Sequence, residues 1–114
     1  MANAADIEVK TRELTELILE SDEYIRFRKA KEKLLEDQDL YNRVMEYRKR
    51  NFYMQNSGQG NQVDERNNLM RDFGEVLRRN RVREYLDAEI VLCRILQNVN
   101  EVLYKDIDVE ASFL

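Results

Sequence analysis

The segment from Asn80 to Tyr104 constrains the fold most, because it carries the longest uninterrupted apolar periodicity in the chain. Its apolar side chains recur at three- and four-residue steps with no Gly or Pro among them, which is the repeat of an α-helix and not of a strand. Asn80 is predicted to be the N-cap, and Glu84 in the first turn suits the positive end of the helix dipole. At 1.5 Å per residue the helix would be about 35 Å long. We therefore expect it to be the central helix of the domain.

The apolar surface of this helix is wider than a single stripe. One set of side chains comprises Leu86, Cys93, Leu96, Val99 and Leu103, and a second comprises Ala88, Val91, Leu92, Ile95 and Val102. A surface helix needs an apolar stripe of only about 100°, so we expect neighbours on two sides, from the same chain or from a second copy. Because burying a Leu side chain contributes roughly 1.5 to 3 kcal/mol, we expect Leu96→Asp to unfold the domain.

The composition indicates a single helical domain over residues 1–114. The chain has no Pro, only 3 Gly and no Trp, with 43% hydrophobic and 37% charged residues, and β-branched and aromatic residues nowhere alternate with polar ones for more than a few positions. A chain of this length has a modest core. The predicted fold class is all-α: a bundle of about five helices with a long C-terminal helix. We expect this bundle to form a dimer.

Four shorter helices are predicted before the long one. Their ranges are Ala4 or Asp6 to Glu20, Asp22 to Glu36, Gln38 to Gln55, and Asp64 to about Arg79. Ser21 is predicted to cap the second helix and Asp37 or Asp39 the third. The apolar faces predicted comprise Ile7, Leu14, Leu17 and Ile18 in the first helix, Tyr24, Ile25, Phe27, Ala30 and Leu34 in the second, Leu40, Val44, Tyr47 and Met54 in the third, and Leu69, Met70, Phe73, Val76 and Leu77 in the fourth.

Two segments are predicted to lie outside the helices. The stretch from Asn56 to Gln62 contains two of the three Gly and no apolar residue, so it is predicted to be a loop. After Tyr104 the chain alternates apolar and acidic residues as far as Phe113 and Leu114. We expect this tail to be extended and to pack on the bundle or on a second subunit, because its apolar end is costly to leave in water.

Charge and targeting signals restrict the partners and the compartment. The formal net charge is -4 and the sequence pI is about 5.0, so the whole chain has no electrostatic attraction for phosphate backbones or anionic lipid. The N-terminus has no basic start with an apolar block, and no window approaches the roughly 18 apolar residues of a membrane-spanning helix. A cytoplasmic location is predicted. The one cysteine, Cys93, rules out an internal disulfide and is interpreted as a small buried hydrophobe.

The sequence contains no pattern typical of a catalytic or metal-binding site. The chain has no His, which excludes Ser-His and Cys-His nucleophilic pairs and HExxH zinc sites. The Gly58-Gln59-Gly60 segment lacks the Lys-Ser/Thr of a phosphate-binding loop. The acidic clusters around Glu16 and Asp106 are interpreted as solvated surface. No catalytic, metal-binding or cofactor-binding residue is assigned, no cofactor is expected, and the protein is predicted not to be an enzyme.

Two surfaces are candidates for contact with partners. The first is basic and comprises Arg48, Lys49 and Arg50 beside two aromatic residues, together with Arg78, Arg79, Arg81 and Arg83. Basic and aromatic residues together can bind single-stranded RNA, but Arg also stabilises helix C-termini and covers apolar surface, so protein contact is favoured over direct RNA contact. The second is a dimer interface on the third and fifth helices, comprising Tyr47, Met54, Tyr85, Val91 and Ile95.

Two segments, from Leu14 to Leu40 and from Asn80 to Leu103, resemble the YlbF/YmcA family of small bacterial helical regulators. The resemblance is carried by Ile18, Ser21, Tyr24, Phe27, Ala30, Leu34 and an acidic cap before Leu40, and later by Asn80, Val82, Tyr85, Leu86, Ala88 and Glu89. These residues form a helical core pattern and not a catalytic signature.

The resemblance implies an all-α, non-enzymatic, cytoplasmic regulator that dimerises. It implies assembly with related helical subunits into an RNase-associated complex that influences competence, sporulation, biofilm development and mRNA processing. Some members of such a complex bind iron-sulfur clusters through cysteines, whereas this chain has Cys93 alone. Two alternatives stay open: a homo-oligomeric helical structural protein without a regulatory partner, and a weak RNA-binding module that depends on the arginine clusters.

Overall fold

The computed structural model describes residues 1–56 and 62–107, which form five α-helices. The helices are α1 (Ala4–Leu19), α2 (Asp22–Leu35), α3 (Gln38–Asn56), α4 (Gln62–Arg78) and α5 (Asn80–Ile107). These residues contain no strand. The predicted all-α class, with about five helices and a long C-terminal one, is confirmed.

Two predicted non-helical segments are shorter than expected. Asn56 ends α3 and Gln62 begins α4, so both ends of the predicted loop are helical, and residues 57–61 lie outside the described part of the chain. Likewise α5 continues past Tyr104 to Ile107, so the predicted extended tail began too early. The rest of that tail, residues 108–114, also lies outside the described residues.

Short polar side chains fix where α1 and α2 begin. The Asn3 side chain accepts a hydrogen bond from the Asp6 amide at 3.0 Å, and the Asp6 carboxylate accepts one from the Asn3 amide at 3.0 Å. This reciprocal capping box satisfies two amides that the first turn leaves without helical partners. At α2 the Tyr24 amide donates to Ser21 Oγ at 3.2 Å. The predicted Ser21 cap is therefore confirmed.

The caps of α3 and α5 decide two further predictions. The Leu40 amide donates to the Asp37 carboxylate at 3.1 Å, so the cap of α3 is Asp37. At α5 the Arg83 amide donates to the Arg79 carbonyl at 3.0 Å, which makes residue 79 the capping position. The prediction of Asn80 as N-cap was wrong by one position, because Asn80 is already the first helical residue.

The chain divides into two compact units. The terminal unit comprises Met1–Arg28 and Asp87–Leu114, and the central unit comprises Lys29–Leu86. The divisions therefore fall inside α2 and α5. The prediction of a single domain over residues 1–114 stays a prediction.

The core of the central unit is built around Phe73, which is completely buried. Helices α3 and α4 pack against each other, and Phe73 lies in a cluster with Met54 and Leu69, with Tyr47 and Leu77 packed against it. The Tyr47 ring meets the Phe73 ring edge to face, with 5.7 Å between centroids and an interplanar angle of 62°. This geometry is the one that aromatic quadrupoles favour.

Most of the predicted core of the central unit is confirmed. Its buried apolar side chains include Ala30, Leu34, Leu40, Val44, Met54, Leu69 and Phe73. Met70 was predicted to face inward and is 51% exposed. One residue corresponds to about 100° around a helix, so Met70 lies about 100° from Leu69 and about 60° from Phe73, at the edge of the face that contacts α3.

The terminal unit covers much less of its apolar surface. Helix α1 contains no buried residue, although its apolar residues have the predicted spacing. In α5, Ala88 and Leu92 are buried, whereas Leu96 is 46% exposed. The expectation that Leu96→Asp unfolds the domain is therefore wrong, since almost half of that residue's surface is already in water. Cys93 is exposed and not a buried hydrophobe, which corrects the other interpretation made for this helix.

Replacing Phe73 by Ala is expected to destabilise the protein by about 3 to 5 kcal/mol, because the truncation leaves a cavity under Tyr47 and removes the buried ring from the cluster with Met54 and Leu69. Urea unfolding followed by circular dichroism measures the change. The matched control is Phe52→Ala, since Phe52 is 63% exposed and its truncation should change stability by only about 0.5 kcal/mol. Equal effects of the two substitutions would contradict the central position of Phe73.

Candidate interaction surface

An open apolar groove of about 710 Å³ lies in the terminal unit, between α1 and the second half of α5. The residues lining it are Ala2, Asp6, Ile7, Val9, Lys10, Thr11, Leu14, Val99 and Leu103. Only Asp6 and Lys10 among them are charged. The chemistry of the lining therefore suits an apolar helix face better than a polar small molecule.

The groove continues a stripe that the chain covers only in part. Positions 88, 92, 99 and 103 fall within about 60° of one another around α5, because each residue turns the helix by about 100°. Ala88 is 1% and Leu92 is 9% exposed, but Leu103 is 49% exposed. The stripe is therefore buried where α5 enters the terminal unit and open further along.

We call the open apolar surface of this unit the terminal apolar face. It comprises Ile7, Leu14 and Leu17 of α1 and Leu96, Val99, Val102 and Leu103 of α5. Ile7 is 65% and Leu17 is 66% exposed, and Val102 is 63% exposed. Monomeric proteins rarely expose contiguous apolar patches larger than a few hundred Å², and larger ones mark contact sites. The terminal apolar face is thus the candidate interaction surface of the protein.

The predicted dimer-interface residues are mostly elsewhere. Tyr47 packs on Phe73, and Met54 is 9% exposed within the same cluster. Tyr85 is 3% exposed, and its hydroxyl accepts a hydrogen bond from Arg48 at 3.3 Å. Val91 and Ile95 are half-buried. Contact of these five residues with a second subunit stays a prediction. The most exposed apolar surface of the terminal unit lies instead on α1 and distal α5.

Sequence reasoning missed α1 as part of this surface. Ile7, Leu14 and Leu17 were identified as part of one apolar face of the first helix, but they were not named among the candidate contact residues. The sequence did contain one indication of an exposed apolar face: its helices have more apolar stripes than five helices can cover among themselves. Periodicity alone could not identify the stripe that stays open.

Three of the seven predicted basic contact residues are engaged within the central unit. Arg48 donates to Tyr85, and Arg50 Nη1 donates to the Asp72 carboxylate at 2.9 Å. Arg81 Nη1 lies 3.4 Å from the Glu36 carboxylate and donates to the Lys33 carbonyl at 3.1 Å.

The other four basic contact residues are exposed, and we call them the free basic set. They are Lys49, Arg78, Arg79 and Arg83. Among residues 1–56 and 62–107, none of the four forms an ion pair. The predicted basic surface is therefore reduced to this smaller set.

The net charge of the chain conceals opposite charges on the two units. The terminal unit has 6 basic and 13 acidic residues, which gives a net charge of -7, and the central unit has 13 basic and 10 acidic residues, which gives +3. All seven predicted basic contact residues belong to the central unit. The apolar groove therefore belongs to the acidic unit.

Asp72 organises the arginines beside Phe73. Its carboxylate accepts hydrogen bonds from Arg50 at 2.9 Å and from Arg71 at 3.2 Å. These two hydrogen bonds, Arg50 first, lower the pKa of Asp72 below its ordinary value of 3.8. Arg43 donates to the Asp72 carbonyl at 2.9 Å. The guanidinium groups of Arg43 and Arg50 lie 4.3 and 5.2 Å from the centroid of the Phe73 ring. They cover the buried ring and form cation–π contacts with it.

The described part of the chain contains neither a metal-binding cluster nor a membrane-spanning helix. No group of three or more His, Cys, Asp or Glu side chains there is arranged to hold a metal ion. No helix there is both long and apolar enough to cross a bilayer. The predicted cytoplasmic location stays a prediction.

The family model described as "Control of competence regulator ComK, YlbF/YmcA" matches residues 7–108, which is most of the chain. The chain belongs to the YlbF/YmcA family. The resemblance inferred from the helical core pattern is confirmed, and it extends across both units. The family is a regulatory one by its description, linked to competence.

Curated relatives of this YlbF/YmcA protein match over nearly their whole length. A UPF0342 protein of Caldicellulosiruptor saccharolyticus is 28% identical over 113 residues, which cover 96% of this chain and 92% of the relative. A UPF0342 protein of Caldicellulosiruptor bescii is 27% identical over 111 residues, covering 95% and 91%. No solved structure matches the chain.

Replacing Asp72 by Asn is expected to lower Tm by at most a few degrees at pH 7, and the difference in Tm between the two proteins is expected to shrink as the pH falls below 3.8. The folded-state pKa of Asp72 lies below 3.8, so the carboxylate stabilises the fold fully above the unfolded pKa, and this contribution is lost as the pH falls through the folded pKa. Thermal melts of both proteins from pH 7 to pH 2 measure the difference. A Tm difference that stays constant over this range would show that the ionised carboxylate is not its cause.

Proposed function

We propose that this YlbF/YmcA family protein is a non-enzymatic regulatory adaptor that acts through helical protein contacts. The observation that carries the proposal is the open groove of about 710 Å³ between α1 and α5, which is lined by four residues of the terminal apolar face: Ile7, Leu14, Val99 and Leu103. A family described by its control of a competence regulator needs surfaces that hold partners. An apolar helix face in an open groove is a common surface for helical partners.

The finer parts of the proposal follow the family resemblance. The adaptor dimerises and assembles with related helical subunits in an RNase-associated complex. Through that complex it influences competence and, further, sporulation, biofilm development and mRNA processing. These roles are supported by the family match and by a surface suited to assembly.

The proposal predicts that Leu103→Glu abolishes regulation in the native host. Leu103 lines the groove and is 49% exposed, so a carboxylate there should disturb binding of an apolar partner with little effect on the fold. A deletion strain is complemented with each version of the gene, and transformation frequency is measured alongside protein level. The variant is expected to match the uncomplemented deletion at a normal protein level.

Ile90→Glu is the matched control. Ile90 is on the same helix and is 51% exposed, but nine residues at about 100° each place it on the opposite side of α5 from Val99. It should restore wild-type transformation frequency. Full complementation by Leu103→Glu would count against the terminal apolar face as the functional surface. An equal loss of transformation frequency with both variants would show that the effect does not depend on which side of α5 carries the new charge.

A further inference from the structure

A cleft of about 190 Å³ lies between α3 and α4, and all of its lining belongs to the central unit. We call it the α3–α4 cleft. Positions 47, 51 and 55 of α3 follow one another at four-residue steps, and positions 66 and 70 of α4 do the same, so each set lies along one face of its helix. The lining comprises Tyr47, Asn51, Met54, Gln55, Arg66, Leu69 and Met70.

The most buried part of this lining belongs to the hydrophobic core. Met54 and Leu69 are 9% and 3% exposed and lie in the cluster of Phe73. Tyr47 packs against the same cluster. Met70, which is 51% exposed, adds a second thioether at the edge, and thioethers adapt to irregular shapes and contact aromatic rings favourably. The core therefore gives the cleft a preformed apolar surface that suits an aromatic or branched group.

Three polar side chains complete the lining of the cleft. Asn51 is half-buried, whereas Gln55 and Arg66 are exposed. Among residues 1–56 and 62–107, none of the three forms a side-chain hydrogen bond or an ion pair. They provide a guanidinium and two amide groups as donors. Arg66 is the only charged residue among the described residues of the lining, so the lining favours an anion.

The charge and volume of the cleft restrict the class of anion. One guanidinium matches the geometry of one carboxylate, whereas a phosphate group carries a charge of about -1.5 to -2 at neutral pH and is better matched by several cations. An engineered cavity of about 150 Å³ binds benzene, so about 190 Å³ leaves room for such a ring and a carboxylate. Sites for drug-sized ligands measure about 300 to 1,000 Å³, so the cleft is too small to enclose a nucleotide.

We propose that the α3–α4 cleft binds a small monocarboxylate whose apolar body is aromatic or branched and about the size of the benzoate ring. The apolar body contacts the thioethers and the Tyr47 ring. The carboxylate accepts hydrogen bonds from Arg66 and from the carboxamide of Asn51 or Gln55. A free organic acid and the C-terminal residue of a peptide both present this chemistry. Binding here goes beyond the proposed function, because no residue of the terminal apolar face lines the cleft.

Titration of the isotope-labelled full chain with benzoate at pH 7, followed by heteronuclear NMR, tests this site. The expected Kd is on the order of 1 mM, the range for a ligand of this size. Signals of residues 47–55 and 66–70 and of the Asn51 side-chain amide should shift. Benzamide keeps the ring and lacks the charge, so it should bind at least about tenfold more weakly. Benzoate-induced shifts confined to α1 and distal α5 would place the probe in the apolar groove and overturn the assignment.

Substitutions at the polar edge test the recognition of the carboxylate. Arg66→Met keeps an unbranched side chain and removes the charge, so it should raise the Kd of benzoate at least about tenfold. Asn51→Leu should raise it about threefold. The matched control is Arg94→Met, because Arg94 is exposed on α5 and lies outside the cleft lining; it should change Kd less than about twofold. An unchanged Kd in both Arg66→Met and Asn51→Leu would contradict the site.

A short peptide distinguishes the two sources of the carboxylate. The tripeptide Ala-Ala-Phe with a free C-terminus is compared with the same peptide amidated at that end. A free peptide that binds at least about tenfold more tightly than benzoate identifies a peptide end as the ligand, and one that binds more weakly than benzoate identifies a free acid. Either result supports a carboxylate site. Equal Kd values for the free and amidated peptides, with equal values for benzoate and benzamide, overturn it.

Discussion

The continuous apolar stripe of α5 is the constraint on which the rest of the structure depends. A helix of 28 residues extends about 42 Å at 1.5 Å per residue, and its stripe needs cover along that whole length. The chain provides cover at Val82, Tyr85, Ala88 and Leu92, all of which are buried, and then the exposure of the stripe rises. The exposed part of the stripe lines the groove together with α1, the helix that contains no buried residue. The candidate interaction surface thus follows from an apolar stripe that is longer than the part that the chain covers.

In the central unit, by contrast, the apolar core is covered, and charged residues help to cover it. Arg43 and Arg50 lie over a buried Phe73, and Asp72 anchors Arg50 through its carboxylate and Arg43 through its carbonyl. Arginine stems and guanidinium planes cover apolar surface while their charges stay hydrated. This accounts for part of the basic clustering that suggested RNA contact. The RNA-binding alternative then depends on the free basic set, which carries a smaller positive charge.

Local signals determined how much of the fold could be predicted. Helix class, helix order and the caps at Ser21 and Asp37 depend on periodicity and on side chains close in sequence, so they could be derived from the residues. Met70, Cys93 and Leu96 were placed wrongly because each belongs to a helix whose apolar residues outnumber the positions that neighbours cover. Which of several stripes stays open depends on tertiary packing, and neither propensity nor hydrophobic spacing contains that information. For the same reason, α1 could not be recognised from the sequence as part of the candidate surface.

The distribution of charge separates the two kinds of surface in this YlbF/YmcA protein. The open apolar groove belongs to the unit with net charge -7, and the free basic set belongs to the unit with +3. An open apolar groove selects partners by their apolar helix face. A basic surface instead selects partners by their acidity. Under the proposed function, the terminal unit holds an apolar helical partner in its groove, and the free basic set of the central unit stays available to an acidic one.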